Sequence, residues 1–233
     1  VAIYSLINQG LPSSVGWGVP MSTDVAFALA VLAIAGKFLP APIRVFLMTV
    51  AVVDDSLTIL MIAVFFTANF HLLSVVSLAG VIIGIFMPKG EIVLSKLENV
   101  VKFGALPIFA LMSAGVSLSG FSLDKLTGST ITLGIVAAMV IGKPLGVIGT
   151  AWLVTKSGLG KLAANLKWAD MLSIAPLFGM CFTVALLMSE LSFGNNDDWH
   201  DTANLSVFIG STIMALVATL TLNLRKKSFA RQI

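Results

Sequence analysis

Apolar residues along this chain fall neither in helical stripes nor in alternation; they form long uninterrupted runs broken by short clusters of Gly, Pro and charge. Seven such runs stand out, at about residues 19–35, 43–68, 72–86, 100–116, 130–154, 171–191 and 203–224. A helix needs roughly 20 apolar residues to cross a bilayer, and most of these runs reach that length with one interruption or none. They are far too long for barrel strands, so the pattern predicts about seven transmembrane helices in one domain spanning residues 1–233. The third run is short for a span.

Composition sharpens this picture. With 58% hydrophobic and 11% charged residues and a mean hydropathy of +1.02, the chain has too little polar surface to cover a water-soluble globule. The sequence is basic, but its Lys and Arg residues are scattered between apolar runs, which argues against nucleic-acid binding. Lys37 and Arg44 follow the first run, Lys89, Lys96 and Lys102 the third, Lys156, Lys161 and Lys167 the fifth, and Arg225, Lys226, Lys227 and Arg231 the seventh. Twelve of the 14 basic residues therefore share one side, which the positive-inside rule makes cytoplasmic. The C-terminus is expected there and the acidic stretch 195–201 in an external loop. Trp17, Trp152, Trp168 and Trp199 lie near run ends, as interfacial anchors do. The lone Cys181 reads as core, His71 and His200 as solvated loop residues, and Glu190 as a group reaching the interface. The chain begins at Val1 with no signal-peptide pattern.

Against this background four charges are out of place, because a charge at the centre of a bilayer helix costs about 2.5 to 3.5 kcal/mol even on the lenient insertion scale. Asp54 and Asp55 sit midway along the second run, between Val50-Ala51-Val52-Val53 and Leu57-Thr58-Ile59-Leu60, where neither is expected to reach water. Neighbouring carboxylates withdrawn from water raise each other's affinity for protons. Their oxygens also suit a hard cation such as Na⁺, so cation and proton would compete for one site. Lys143, between Gly142 and Pro144, lies about ten residues, or roughly 15 Å, from the nearer end of its run, too far to snorkel. It needs an acid, a helix carboxyl end or a water-filled cavity. Asp24 follows Pro20-Met21-Ser22-Thr23 and heads an apolar run. It fits a surface N-cap, or the start of a half-helix inside the membrane. The run from Asp24 to Phe38 gives only roughly 21 Å of helix, short for a 30 Å core. The sixth run has its own interruption at Pro176, Gly179 and Thr183, and two interrupted runs in different halves point to a midplane ion site.

These residues resemble the NhaA-type bacterial sodium/proton antiporters. Gly16-Trp17, Pro20 and the string Thr23-Asp24-Val25-Ala26-Phe27-Ala28-Leu29 are similar to the family's unwound fourth helix. Val45-Phe46-Leu47-Met48 through Val53-Asp54-Asp55 resembles its fifth, with the paired aspartates. Pro107 through Ala114-Gly115-Val116 resembles the ninth, Ile141-Gly142-Lys143-Pro144-Leu145-Gly146 the tenth, and Gly179 with Phe182-Thr183 the broken eleventh. The resemblance implies an all-α membrane fold that is part of an inverted-repeat antiporter with two discontinuous helices. It implies that Asp55 is the main cation carboxylate, Asp54 a neighbouring cation and proton site, and Thr23 an oxygen ligand. Asp24 and Lys143 would compensate opposed helix ends, with Lys143 also within reach of Asp54. Lys96 and Glu98 match positions linked to pH sensing.

The resemblance further implies electrogenic exchange of Na⁺ or Li⁺ for protons by alternating access, in a bacterial inner membrane. No resident cofactor is expected, and the partners are the transported ions and lipid. Asn99 stands where a well-known member has His, and Cys181 where it has Gly. The family's first three helices are missing, and so are two in the middle, where the chain runs directly from the fifth helix into the eighth between Thr67 and Leu78. A homodimer could not use the family's hairpin, which would belong to the missing front part. A shortened chain that folds without transporting is the alternative. A retinal protein is disfavoured because Lys143 is in the fifth run, and an intramembrane aspartyl protease because no Gly-x-Gly-Asp occurs.

Overall fold

The computed structural model describes residues 1–24, 27–28, 30–32, 36, 39–66, 104, 108, 128–162 and 166–229. The third run, and the fourth apart from Gly104 and Ile108, lie outside the described residues. The chain divides into two compact units, Val1–Asp54 with Val116–Ile233, and Asp55–Gly115. Every regular element among the described residues is helical.

The first unit opens with helix α1 (Ala2–Ile7) and a 3₁₀ segment (Pro12–Gly18). Helix α2 (Ala41–Met61) supplies its next described element and runs on into the second unit, where a π-helical turn (Ile62–Phe66) follows it. Helix α3 (Thr130–Ala137), a π-helical turn (Ala138–Gly142) and helix α4 (Lys143–Lys156) form one continuous rod. Helices α5 (Trp168–Gly179) and α6 (Thr183–Phe193) precede the long α7 (Asp197–Phe229). The rod Thr130–Lys156 and α7 up to Lys226 are each long and apolar enough to cross a membrane, and α5 with α6 makes a third candidate span bent by 47°.

Helix α7 is the post against which the unit assembles: α5, α6 and α3 all pack on it, and α5 also packs on α4. Lipid gives no hydrophobic drive for helix association, so close fit has to supply the cohesion. Three glycines make that fit. A Cβ on Gly134 would meet the Asn8 amide at 2.6 Å, one on Gly210 would meet Met139 Sδ at 2.9 Å, and one on Gly179 would collide with Met214 and with the Met139 carbonyl at 2.8 Å. The core between α2, α5 and α7 holds Ile43, Leu47, Ile174, Leu177, Met214 and Leu222, with Phe46 edge-on to Phe178 at 6.0 Å. Large side chains such as Leu145, Leu153, Leu216 and Leu224 point outward, the arrangement expected of helices facing hydrocarbon.

Buried polar groups fasten the ends. Tyr4 Oη donates to the Ser13 carbonyl at 2.7 Å, Ser13 Oγ to Asn8 Oδ1 at 2.8 Å, and Asn8 Nδ2 to the Thr130 carbonyl at 3.2 Å, tying α1 to the start of α3. Asp170, fully buried, accepts the Lys167 N–H at 2.9 Å as an α5 cap and pairs with Arg225 near the end of α7. The acidic stretch expected as a loop is largely helix: α7 begins at Asp197, and Asp197 and Asp198 occupy its first turn, where carboxylates favour the positive helix end. His200, expected to be solvated, instead lies 3.0 Å from Glu190, which joins the end of α6 to α7.

Two stability changes follow. Gly179→Ala is expected to cost about 1 to 3 kcal/mol by overpacking against the rigid Met139 carbonyl, read as a lowered melting temperature in detergent. Arg225→Met removes the guanidinium paired with the buried Asp170 carboxylate and is expected to cost about 3 kcal/mol, read in the same melting experiment.

Candidate functional site

The site is built where two interrupted segments meet. In the first, the 3₁₀ segment and a further turn, in which Met21 N–H donates to the Gly18 carbonyl at 3.1 Å, end at an irregular Ser22-Thr23-Asp24. Helical geometry resumes after it: Asp24 Oδ1 accepts the Phe27 N–H at 3.0 Å and the Asp24 carbonyl accepts the Ala28 N–H at 3.0 Å. In the second, α5 ends at Gly179, Met180 is extended (φ −74°, ψ 129°), and α6 starts at Thr183. The local cause of the second break is not a left-handed turn, since no non-glycine among the described residues has a positive φ. A cysteine at position 181 is therefore compatible with it.

Unwound backbone in a membrane must find partners within the protein, and here each segment supplies them to the other. The Phe178 carbonyl accepts Thr23 Oγ1 at 3.0 Å, and the Met180 carbonyl accepts the Asp24 N–H at 3.0 Å. Asp24 Oδ2 accepts both the Thr183 N–H at 3.2 Å and Thr183 Oγ1 at 3.0 Å. One carboxylate, 8% exposed, thus caps two helix N-termini, its own and that of α6. Each N-terminus carries partial positive charge, so a single anion neutralises both.

The carboxyl-directed side of the first break is handled by one peptide group. Lys143 Nζ donates to the Ser22 carbonyl, while the Thr23 N–H, on the other side of the same peptide bond, donates to Asp54 Oδ2 at 2.6 Å. The peptide dipole lies between a cation and an anion, aligned with both. Lys143 and Asp54, expected to be within reach of each other, are thereby linked through this peptide. The π-helical turn Ala138–Gly142 ends immediately before Lys143, a helix irregularity frequent at functional positions.

Thr23, Asp24, Lys143 and Asp54 are therefore gathered at one crossing. Asp54 and Asp55 are each half-buried, and Asp55 opens the second unit. Lys96 and Glu98 lie outside the described residues. Sequence reasoning missed Ser22 as the acceptor for Lys143 and Ser211 as a partner of the second break. Ser22 acts through its backbone, which leaves no trace in side-chain chemistry. Ser211 is one of several hydroxyls on α7, most of which bond their own helix, as Thr212 does with the Phe208 carbonyl at 2.8 Å. Asp24→Asn removes the charge opposite two helix ends and is expected to lower stability by about 1 to 2 kcal/mol, with Asp24→Ala worse; thermal melting in detergent checks the order.

Sequence comparison adds the family. The model described as Na+/H+ antiporter 1 matches residues 1–90 and 76–222. Similar proteins include one named Na(+)/H(+) antiporter NhaA 1 from Kineococcus radiotolerans, 33% identical over 291 positions that take in 98% of this chain and 67% of the relative. Another, named Na(+)/H(+) antiporter NhaA, from Streptomyces antibioticus, is 35% identical over 279 positions, 97% of this chain and 58% of the relative. A third of that name, from Aliivibrio fischeri, is 32% identical over 280 positions, 97% of this chain and 73% of the relative. The matched stretches are longer than the 233 residues available, so the relatives carry segments that this chain does not. The family match also breaks and restarts within 76–90. The chain belongs to the Na+/H+ antiporter 1 family.

Proposed function

We propose that this chain is the ion-handling part of a sodium/proton antiporter of a bacterial inner membrane, with a cytoplasmic C-terminus. The observation that carries this reading is the crossing of two broken helices, with carboxylates, a threonine hydroxyl and a lysine converging on unwound backbone. The names of the relatives support the substrate pair.

In this reading Asp55 is the main cation carboxylate, Asp54 shares cations and protons with it, and Thr23 Oγ1 adds a neutral oxygen. Na⁺ or Li⁺ and protons compete for these oxygens, since a carboxylate that holds a proton has lost most of its pull on a cation. Asp24 and Lys143 do not carry the ion; they neutralise the helix ends around it and keep the crossing stable while it is empty. Lys143 has a further part to play, because any change of charge on Asp54 alters the field across the Ser22–Thr23 peptide that Lys143 holds. Exchanging more protons than cations makes the cycle electrogenic, and alternating access follows if the crossing tilts between the two faces. Such a protein is a transporter and not an enzyme, and it needs no resident cofactor. Lys96 and Glu98 would tune its response to pH.

The test is exchange in proteoliposomes carrying an imposed pH gradient, with correct insertion verified. Na⁺ or Li⁺ should dissipate the gradient. Asp55→Asn should abolish this, and Asp54→Asn should weaken apparent Na⁺ affinity by roughly tenfold, about 1.4 kcal/mol. Competition also requires that apparent Na⁺ affinity fall as the medium is acidified. No dissipation by this chain, combined with none by the same chain extended to the length of its relatives, would overturn the reading; transport by the extended chain alone would favour the shortened form as partner-dependent.

A further inference from the structure

Within the second break, Cys181 is served from a direction other than the crossing. Phe178, Met180 and Thr183 all find partners in the Thr23-Asp24 stretch, and the Phe182 carbonyl already accepts the Leu186 N–H at 3.0 Å as part of α6. Cys181, fully buried, has both its backbone groups directed the other way, to α7. The Cys181 N–H donates to Ser211 Oγ at 3.2 Å, and Ser211 Oγ donates in turn to the Cys181 carbonyl. A single hydroxyl, 2% exposed, thus accepts through a lone pair and donates its proton to the same residue, closing both orphan groups at once. The same face of α7 fixes the surroundings, with Met214 against Gly179 and Gly210 against Met139. The Cys181 thiol, for its part, lies 3.5 Å from Ser22 Oγ, next to the peptide held by Lys143.

We propose that Ser211 is a positioning residue that clamps the unwound link between α5 and α6 to α7, and so fixes where Thr183 meets Asp24. An ordinary serine in a bilayer helix satisfies its own i−4 carbonyl and does nothing further; this one stands in for the water that an unwound backbone would otherwise recruit. If the crossing tilts during exchange, the α7 end of the link stays fixed while the Asp24 end moves. The functional half of this inference rests on the antiport reading; the structural half does not.

Cys181 is the only cysteine of the chain, so its thiol reports on the clamp directly. In the unaltered chain, reconstituted in lipid, Cys181 should resist a small membrane-permeant maleimide. Ser211→Ala, which removes both bonds, should speed alkylation by about tenfold, the scale expected for two modest hydrogen bonds in a local opening equilibrium. Thr212→Ala, next along the helix but exposed and bonded only within α7, should leave the rate unchanged. In exchange assays Ser211→Ala should raise the apparent KM for Na⁺ at fixed pH with little loss of maximal rate, because the ion oxygens themselves are intact. Rapid alkylation of the unaltered chain, or equal rates in Ser211→Ala and the unaltered chain, would overturn the clamp, and neither result depends on transport. A raised alkylation rate in Ser211→Ala together with an unaltered KM would retain the clamp and reject its bearing on the ion site. Should Ser211→Ala not fold, the amide hydrogen exchange of Cys181 in the unaltered chain decides, slow exchange supporting the clamp and fast exchange overturning it.

Discussion

A carboxylate that serves two helix starts at once is the constraint from which the rest of this structure follows. Each broken segment ends in backbone groups that hydrocarbon cannot satisfy, and an unsatisfied group there costs several kcal/mol. Asp24 meets that demand on both sides of the crossing, through Phe27 on its own helix and Thr183 on α6. The breaks are consequently interdependent, and α7, with its small Gly210 and Ser211, is the surface on which the second is mounted.

Charge balance at the crossing then has an economical form. Two positive helix ends face Asp24, while the Ser22 carbonyl, just after the preceding turn, faces Lys143. The Ser22–Thr23 peptide joins Lys143 to Asp54 without direct contact between the two side chains. A direct buried ion pair has deep mutual attraction and resists reorganisation. A pair mediated by a peptide dipole is weaker and responds to a change of charge at either end, which would suit the exchange proposed for Asp54.

Much of this was legible in the sequence because charge in an apolar run has few explanations. Asp24, Asp54 and Lys143 announced themselves by the cost of burying them, and Pro176 and Gly179 marked the second break. The rod through Lys143 and the bent α5–α6 pair follow the predicted runs closely. What escaped was everything done by backbone or by unremarkable hydroxyls: the Ser22 carbonyl, the Met180 carbonyl and Ser211 have no compositional signature. Helix α1 and the 3₁₀ segment were missed because they are too short to carry a pattern of their own, and are ordered by Tyr4, Asn8 and Ser13 bonding at a distance. The start of α7 was misjudged because an acidic stretch reads as loop, although acids in a first helical turn are stabilised by the helix end they face.

The central claim is that one set of carboxylate oxygens at this crossing serves a cation or a proton in turn. Proton release on Na⁺ addition to the detergent-solubilised protein, followed with a pH indicator in weakly buffered solution, addresses it most directly. The account predicts that Na⁺ and Li⁺ each release protons saturably, that the release disappears when Asp54 and Asp55 are both changed to Asn, and that K⁺ at matched ionic strength releases none. Saturable Na⁺ binding with no release of protons, or release that survives loss of both aspartates, would contradict it.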